Sequence, residues 1–160
     1  MKLLSLLCLL AVVSVPVAAQ APKPKAGTGA ASKSARTIEI EGTEQMKFSV
    51  PTINARPNER LRVVLKAIGT MPKMAMAHNF VLLTKDASPL EVNNAALTAR
   101  ETDFVPPSMK DKIIASTALA GGGETVEVTF AAPAKPGTYT YLCTFPGHFT
   151  AGMKGDLIVK

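Results

Sequence analysis

Short stretches in which apolar and polar residues alternate recur along the chain from residue 37 onward, separated by turn-forming residues. Alternation with a period of two is typical of a half-buried β-strand, and short apolar runs between turns are typical of a fully buried one. Such stretches lie at residues 37–41, 46–50, 61–68, 79–84, 112–115, 125–130, 137–143 and 154–159. About eight short strands in one domain of this length predict an antiparallel β-sandwich.

One segment has a helical pattern instead. Ser88 is followed by Pro89 and, three residues after the serine, by Glu91. A serine before the first turn, a proline at the first helical position and a glutamate three residues later form a capping box. The Ala-rich residues after it predict a helix that extends to about Arg100 and is inserted between strands.

The first 35 residues differ in composition from the rest of the chain. Residues 1–19 have a lysine near the start, an apolar run at 3–15 and small residues before Gln20, which is typical of a secretory signal peptide. A retained membrane anchor is the alternative, although the run is shorter than the roughly 20 residues that span a bilayer. Residues 20–35 have no aromatic or branched aliphatic residue and predict a disordered linker, which leaves 36–160 as the folded domain.

The formal net charge of +6 says little about the folded domain, because three of the lysines lie in the predicted linker. The folded part is close to neutral, and no basic stripe alternates with aromatic residues, so nucleic-acid binding is not expected. A solvated tether is the favoured hypothesis for the linker lysines, Lys23, Lys25 and Lys33. Contact with an anionic membrane or an acidic partner is the alternative.

Histidine and cysteine are scarce, with two of each in the whole chain, and Cys8 lies in the predicted signal peptide. The other cysteine, Cys143, is followed within eleven residues by His148 and Met153, while His78 lies 65 residues upstream of Cys143. A thiolate and two imidazoles in a plane with a weak axial thioether suit a copper ion that alternates between Cu(I) and Cu(II). These residues therefore predict one type 1 copper site.

At residues 43–48, 71–80, 113–124 and 143–155 the sequence resembles the cupredoxins, and within them the azurin and auracyanin group. The similarity runs from about residue 37 to residue 160, and it implies a Greek-key β-sandwich with a copper site made by His78, Cys143, His148 and Met153. Four residues separate His148 from Met153, as in auracyanin-like members, whereas azurins have three. The disulfide usual in azurins cannot form here, because Cys8 lies in the predicted signal peptide and leaves Cys143 as the single cysteine of the expected mature chain.

The resemblance also implies roles for three residues around the ligands. Asn79 is expected to tie the two ligand-bearing loops together, and the backbone N–H groups of Asn79 and Phe145 are expected to point at the Cys143 sulfur. Ala77 stands where azurins have glycine, which leaves open whether the Ala77 carbonyl contacts copper. His148 is expected to present an exposed ring edge beside Phe149.

The expected function is a periplasmic carrier of single electrons that is not an enzyme. Its expected partners are redox proteins such as c-type cytochromes or copper enzymes, which dock transiently near His148. The alternative is a periplasmic copper-binding or delivery protein that adds the sulfurs of Met71, Met74 and Met76 to the same site. Packing of these methionines as an apolar rim around the copper end is the favoured hypothesis.

Overall fold

The computed structural model describes residues 34–160, so the predicted signal peptide 1–19 and the predicted linker up to residue 33 lie outside the described residues. Within the described range there are eleven strands, one α-helix and two 3-10 segments. The strands are β1 (Arg36–Thr43), β2 (Lys47–Phe48), β3 (Thr52–Ala55), β4 (Arg60–Ile68), β5 (Ala77–His78), β6 (Val81–Leu83), β7 (Ile113–Ser116), β8 (Ala120–Gly121), β9 (Thr125–Ala131), β10 (Gly137–Leu142) and β11 (Lys154–Val159). The α-helix, α1, is Pro89–Ala96, and the 3-10 segments are Arg100–Thr102 and Pro107–Lys112.

The strands form two larger sheets and one small one. The first sheet has four strands in the order β2-β1-β4-β9, and the second has five in the order β3-β11-β10-β6-β7. The small sheet pairs β5 with β8, so that His78 lies opposite Ala120. Together they form the predicted β-sandwich, which confirms the fold class.

The core combines side chains from both larger sheets. Alternate residues of β4 are buried, as its period-two pattern predicts, and they pack with alternate residues of β10 and β11. Two sulfur-containing residues, Cys143 and Met153, belong to the same buried cluster. The candidate copper ligands at the end of β10 are therefore continuous with the hydrophobic core.

The predicted strand pairing needs two corrections, because the sheets are mixed rather than antiparallel throughout. β1 runs parallel to β4, and β3 runs parallel to β11. Both pairings join strands that are not adjacent hairpin partners, so the hydrophobic pattern of either strand alone does not indicate their direction. The predicted number of about eight strands was also too low. The strands that were not predicted are β3, β5 and β8, and their two to four residues are too few to show an alternating pattern.

The start of α1 is confirmed, but its predicted end at Arg100 was wrong. Ser88 caps the helix by accepting a hydrogen bond from the Glu91 N–H at 3.3 Å. The helix ends at Ala96, and the Thr98 hydroxyl then donates to the Ala95 carbonyl at 3.2 Å. Threonine side chains compete in this way with helical backbone bonds, and the chain continues as a separate 3-10 turn.

No helix among the described residues combines the length and the apolar character needed to cross a membrane.

Candidate metal centre

Three parts of the fold bring the candidate ligands together. His78 ends β5, Cys143 directly follows β10, and His148 and Met153 lie on the loop that leads into β11. Backbone hydrogen bonds fold this loop back on itself. The Cys143 N–H donates to the Met153 carbonyl at 3.1 Å, and the Met153 N–H donates to the His148 carbonyl at 2.9 Å. Residues ten apart in the sequence thereby become neighbours.

The donor atoms of His78, Cys143 and His148 all lie within 4.8 Å of one another. Cys143 Sγ is 3.5 Å from His148 Nδ1, and the two imidazole rings have centroids 5.0 Å apart. All three side chains are buried, with Cys143 0 % exposed, and Met153 is also buried. The structure thus assembles three of the predicted ligands and places the fourth beside Cys143 through the backbone.

One unsatisfied atom shows that this group fits a metal ion. His78 Nδ1 is buried and has no hydrogen-bond partner within residues 34–160. A buried ring nitrogen without a partner is unfavourable, and coordination of a metal would satisfy it. Thiolate and imidazole donors with a nearby thioether are the set that copper prefers.

Burial also sets the protonation of the metal-free site. It raises the pKa of the Cys143 thiol to about 12, against the opposing effect of the Asn79 and Phe145 backbone N–H groups, which donate to the sulfur. It lowers the pKa of His148 to about 4, with a smaller contribution from the charge of His78, and it lowers the pKa of His78. Both imidazoles are therefore neutral and ready to bind at pH 7, whereas the thiol must release its proton to a metal.

These shifts predict that the metal-free protein loses stability in mild acid. Between pH 6.5 and 4 the unfolded chain binds a proton at His148, which stays neutral in the folded state, so the free energy of unfolding falls as the pH falls. The lowered pKa of His78 acts in the same direction. The His148 shift from 6.5 to about 4 corresponds to a loss of up to roughly 3 kcal/mol. Urea unfolding of the metal-free protein at several pH values measures this slope. A His148→Gln variant should show a shallower one, and equal slopes would contradict the assignment.

Asn79 connects the segment after His78 to the segment after Cys143. Its Oδ1 accepts from the Thr144 N–H at 2.9 Å, and its Nδ2 donates to the Thr144 hydroxyl at 2.8 Å. The same Nδ2 donates to the Asp103 carbonyl at 2.9 Å. The structure therefore places Asn79 between the two ligand-bearing segments, and it adds a third segment that the sequence did not indicate.

Ala77 and Phe145 also lie against the ligands. The Ala77 carbonyl oxygen is 3.9 Å from Cys143 Sγ, which donates a weak hydrogen bond to it. The Phe145 ring covers His148 with a centroid separation of 4.9 Å. Both residues are therefore in contact with the site.

The matches to known proteins agree with this geometry. The family described as copper binding proteins of the plastocyanin/azurin family matches residues 35–160. The chain belongs to this family. The predicted cofactor, copper, and the predicted cupredoxin class are thereby confirmed.

Auracyanin-B from Chloroflexus aurantiacus is 35% identical over 145 residues, which are 89% of this chain and 60% of that protein. The chain thus spans less than two thirds of the auracyanin's length. Azurin from Pseudomonas aeruginosa is 35% identical over 127 residues, or 78% of this cupredoxin and 84% of the azurin. The crystal structure of dithionite-reduced auracyanin from Roseiflexus castenholzii superposes with a TM-score of 0.69 at 33% identity, covering 79% of this chain and 98% of that one.

The prediction that His148 presents an exposed ring edge was wrong. This residue is only 2 % exposed, because its ring is packed between His78 and Phe145. Phe149 is partly buried and packs on a second apolar cluster that includes Val81 and Leu142.

The three methionines upstream of His78 differ in exposure. Met74 is 73 % exposed, Met71 is also exposed, and Met76 is partly buried. The Met74 sulfur accepts a weak contact from the Arg100 guanidinium at 3.6 Å. At least two of the three methionine side chains therefore lie on the protein surface.

Gly42 contacts a ligand, although it was not among the site residues predicted from the sequence. A Cβ at this position in β1 would lie 2.8 Å from Cγ and 2.9 Å from Cδ2 of His78. A glycine inside a strand often marks such a close approach, but the predicted strand 37–41 ended before Gly42, and only the structure extends β1 to Thr43.

Gly42→Ala should therefore weaken copper binding by forcing the His78 ring to move. Loss of a ligand's orientation typically reduces metal affinity by about 10- to 100-fold. Competition with a chelator measures the affinity. Gly123→Ala is the matched control, because φ is +80° there and nothing lies within 4 Å of the added Cβ. The control should lower stability without changing the affinity, and equal affinities for both variants would contradict the prediction.

Proposed function

We propose that this cupredoxin is a periplasmic electron carrier that passes single electrons between redox proteins. The observation that carries the proposal is the buried cluster of His78, Cys143 and His148, whose donor atoms lie within 4.8 Å of one another. In this proposal these three residues would hold the copper ion together with Met153, which is buried beside them. Bound copper supplies a one-electron couple between Cu(I) and Cu(II).

The fold contributes by keeping the ligand side chains in fixed positions. Cys143 and His78 are anchored at strand ends, and the ligand loop is closed by its own backbone hydrogen bonds. The links from Asn79 to Thr144 join the two ligand-bearing segments. A site that changes little between oxidation states has a small reorganisation energy, which favours fast electron transfer.

Burial supports the same role. The side chains of Cys143, His148 and Met153 are all buried, so water has little access to the ligand atoms. A dry surround and N–H donors to the thiolate favour the reduced ion and raise the reduction potential.

The proposal does not include catalysis. Copper oxidases and nitrite reductases that use cupredoxin domains need a further copper with an open coordination position, and both histidines of the chain are used in the single proposed site. We expect partners such as c-type cytochromes or copper enzymes to dock near His148, over the Phe145 ring that covers it.

The proposed periplasmic location rests on residues 1–19, whose early lysine, apolar run and small residues are typical of a secretory signal peptide. Determining the N-terminal residue of the expressed protein and the cell compartment that contains it tests the proposed location. Mature protein beginning at Gln20 in a periplasmic extract supports it, whereas full-length protein in the membrane fraction supports the retained anchor.

A copper-delivery function is the second candidate, favoured by the exposure of Met71 and Met74. Soft thioether sulfurs at the surface are suitable ligands for transferring Cu(I).

Voltammetry combined with a copper-transfer assay separates the two functions. For a carrier, the copper-loaded protein should show a reversible one-electron couple and keep its copper in the presence of a metal-free copper protein. A variant with Met71, Met74 and Met76 all changed to leucine should behave in the same way. Transfer of copper to the acceptor, slowed in this variant, would instead establish delivery.

A further inference from the structure

Two consecutive residues other than glycine have a left-handed backbone near the metal centre. Asp103 has φ of 54° and Phe104 has φ of 58°. Positive φ is tolerated by aspartate but is unfavourable for a bulky residue such as phenylalanine. Backbone strain of this kind persists only where the surrounding structure imposes it, and it is concentrated at functional sites.

The conformation of Asp103 has a local explanation. It caps the 3-10 segment Arg100–Thr102, where its N–H donates to the Arg100 carbonyl at 3.2 Å and the Phe104 N–H donates to the Ala99 carbonyl at 2.9 Å. A left-handed residue is common at such an end. The Val105 N–H donates to the Thr102 carbonyl at 2.9 Å and closes a turn in which both Asp103 and Phe104 have positive φ. Turns of this type favour glycine, asparagine or aspartate at both positions, so a phenylalanine at 104 is still unfavourable there.

Tertiary contacts hold Asp103 from two sides. The Asn79 amide donates to its carbonyl at 2.9 Å, and the Leu119 N–H donates to its carboxylate at 3.3 Å. The first of these bonds comes from the residue that follows His78 in the chain. Together they fix the position from which the Phe104 side chain extends.

The Phe104 ring contacts Phe145 edge to face, with centroids 5.4 Å apart and planes at 72°. Phe145 in turn lies on His148 at 4.9 Å. Both phenylalanines line an open surface cleft of about 430 Å³, together with Leu119 and Pro146. Phe145 therefore stands between the cleft and a metal ligand, and Phe104 supports it from the cleft side.

We propose that Phe104 is a positioning residue for the copper centre, whose ring holds Phe145 against His148 and keeps water in the cleft away from the ligands. The left-handed backbone is the conformation that directs this ring onto Phe145. This inference rests on the proposed electron-carrier function for its effect on the reduction potential. Its effect on access to Cys143 applies to the metal-free protein as well.

The test compares Phe104→Ala, Phe104→Gly and Phe104→Tyr. Alanine removes the ring and keeps the unfavourable φ, whereas glycine removes the ring and relieves it, so Phe104→Gly should be the more stable of the two. Tyrosine keeps the ring. Asn58→Gly is the control, because Asn58 also has a positive φ, of 59°, in the turn before β4.

Two measurements respond to the loss of the Phe104 ring and not to a change in the stability of the fold. In the metal-free protein, the rate at which iodoacetamide labels the Cys143 thiol should rise several-fold in both ring-deleting variants. In the copper-loaded protein, the reduction potential should fall in the same two variants, because water near the ligands favours the oxidised ion. Phe104→Tyr and Asn58→Gly should match the wild type in both measurements.

Wild-type labelling and potential in Phe104→Ala and Phe104→Gly would overturn the inference. It would also be overturned if both quantities followed the stability order, with Phe104→Gly close to wild type, because Phe104 would then serve only folding. Failure of the proposed function would look different, since the wild type itself would lack a reversible couple. The labelling rates would still decide whether Phe104 holds Phe145 over the site.

Discussion

Replacing Cys143 with serine should abolish the intense visible absorption of the copper-loaded protein. That absorption requires a thiolate bonded to Cu(II), and Cys143 is the one cysteine in the described part of the chain. Serine has nearly the same shape, and the Sγ contacts are weak, at 3.9 Å to the Ala77 carbonyl and 3.5 Å to His148 Nδ1. The fold should therefore survive the change while the band is lost.

A copper titration followed by absorption spectroscopy makes the measurement. The wild type should develop one band that saturates at one equivalent of Cu(II), and Cys143→Ser should develop none. Met153→Leu is the control, because it removes a thioether that would tune the potential and leaves the Cys143 thiol in place, so the band should remain. A band that persists in Cys143→Ser would show that the cluster of His78, Cys143 and His148 is not the copper site.

Much of the fold follows from local sequence patterns. Alternation in β4 and β10 identified buried faces, and Ser88, Pro89 and Glu91 correctly located the start of α1. Three of the four candidate ligands could also be predicted from a local pattern, because Cys143, His148 and Met153 share one loop. Their spacing predicts proximity without knowledge of the rest of the fold.

Tertiary effects account for what the sequence did not predict. The parallel pairings of β1 with β4 and of β3 with β11 depend on how distant strands meet. The burial of His148 depends on the ring of Phe145, and that ring is itself supported by Phe104. No pattern near Phe104 distinguishes it from an ordinary surface aromatic residue.

The same burial has opposite effects on the ligands. It keeps His78 and His148 neutral, which suits metal binding, but it raises the pKa of Cys143 and so opposes formation of the thiolate. The backbone N–H groups of Asn79 and Phe145 partly offset that second effect by donating to the sulfur. These two positions therefore affect both copper uptake and the relative stability of the two oxidation states.

Asn79→Ala should be the most damaging single change among the residues around the ligands. It leaves the buried Thr144 N–H and the partly buried Asp103 carbonyl without these partners, which should lower the free energy of unfolding by about 2 to 4 kcal/mol. It should also lower the reduction potential, because the segment after Cys143 is no longer held to the segment after His78. Urea unfolding and voltammetry measure the two effects.

The matched control for Asn79→Ala is Asn93→Ala in α1. Asn93 is also buried, but its Oδ1 has no hydrogen-bond partner among residues 34–160, so its removal should cost less stability and leave the potential unchanged. Equal destabilisation by the two variants would mean that burial of an amide, and not the link to Thr144, explains the effect. An unchanged potential in Asn79→Ala would show that this link stabilises the fold without tuning the copper site.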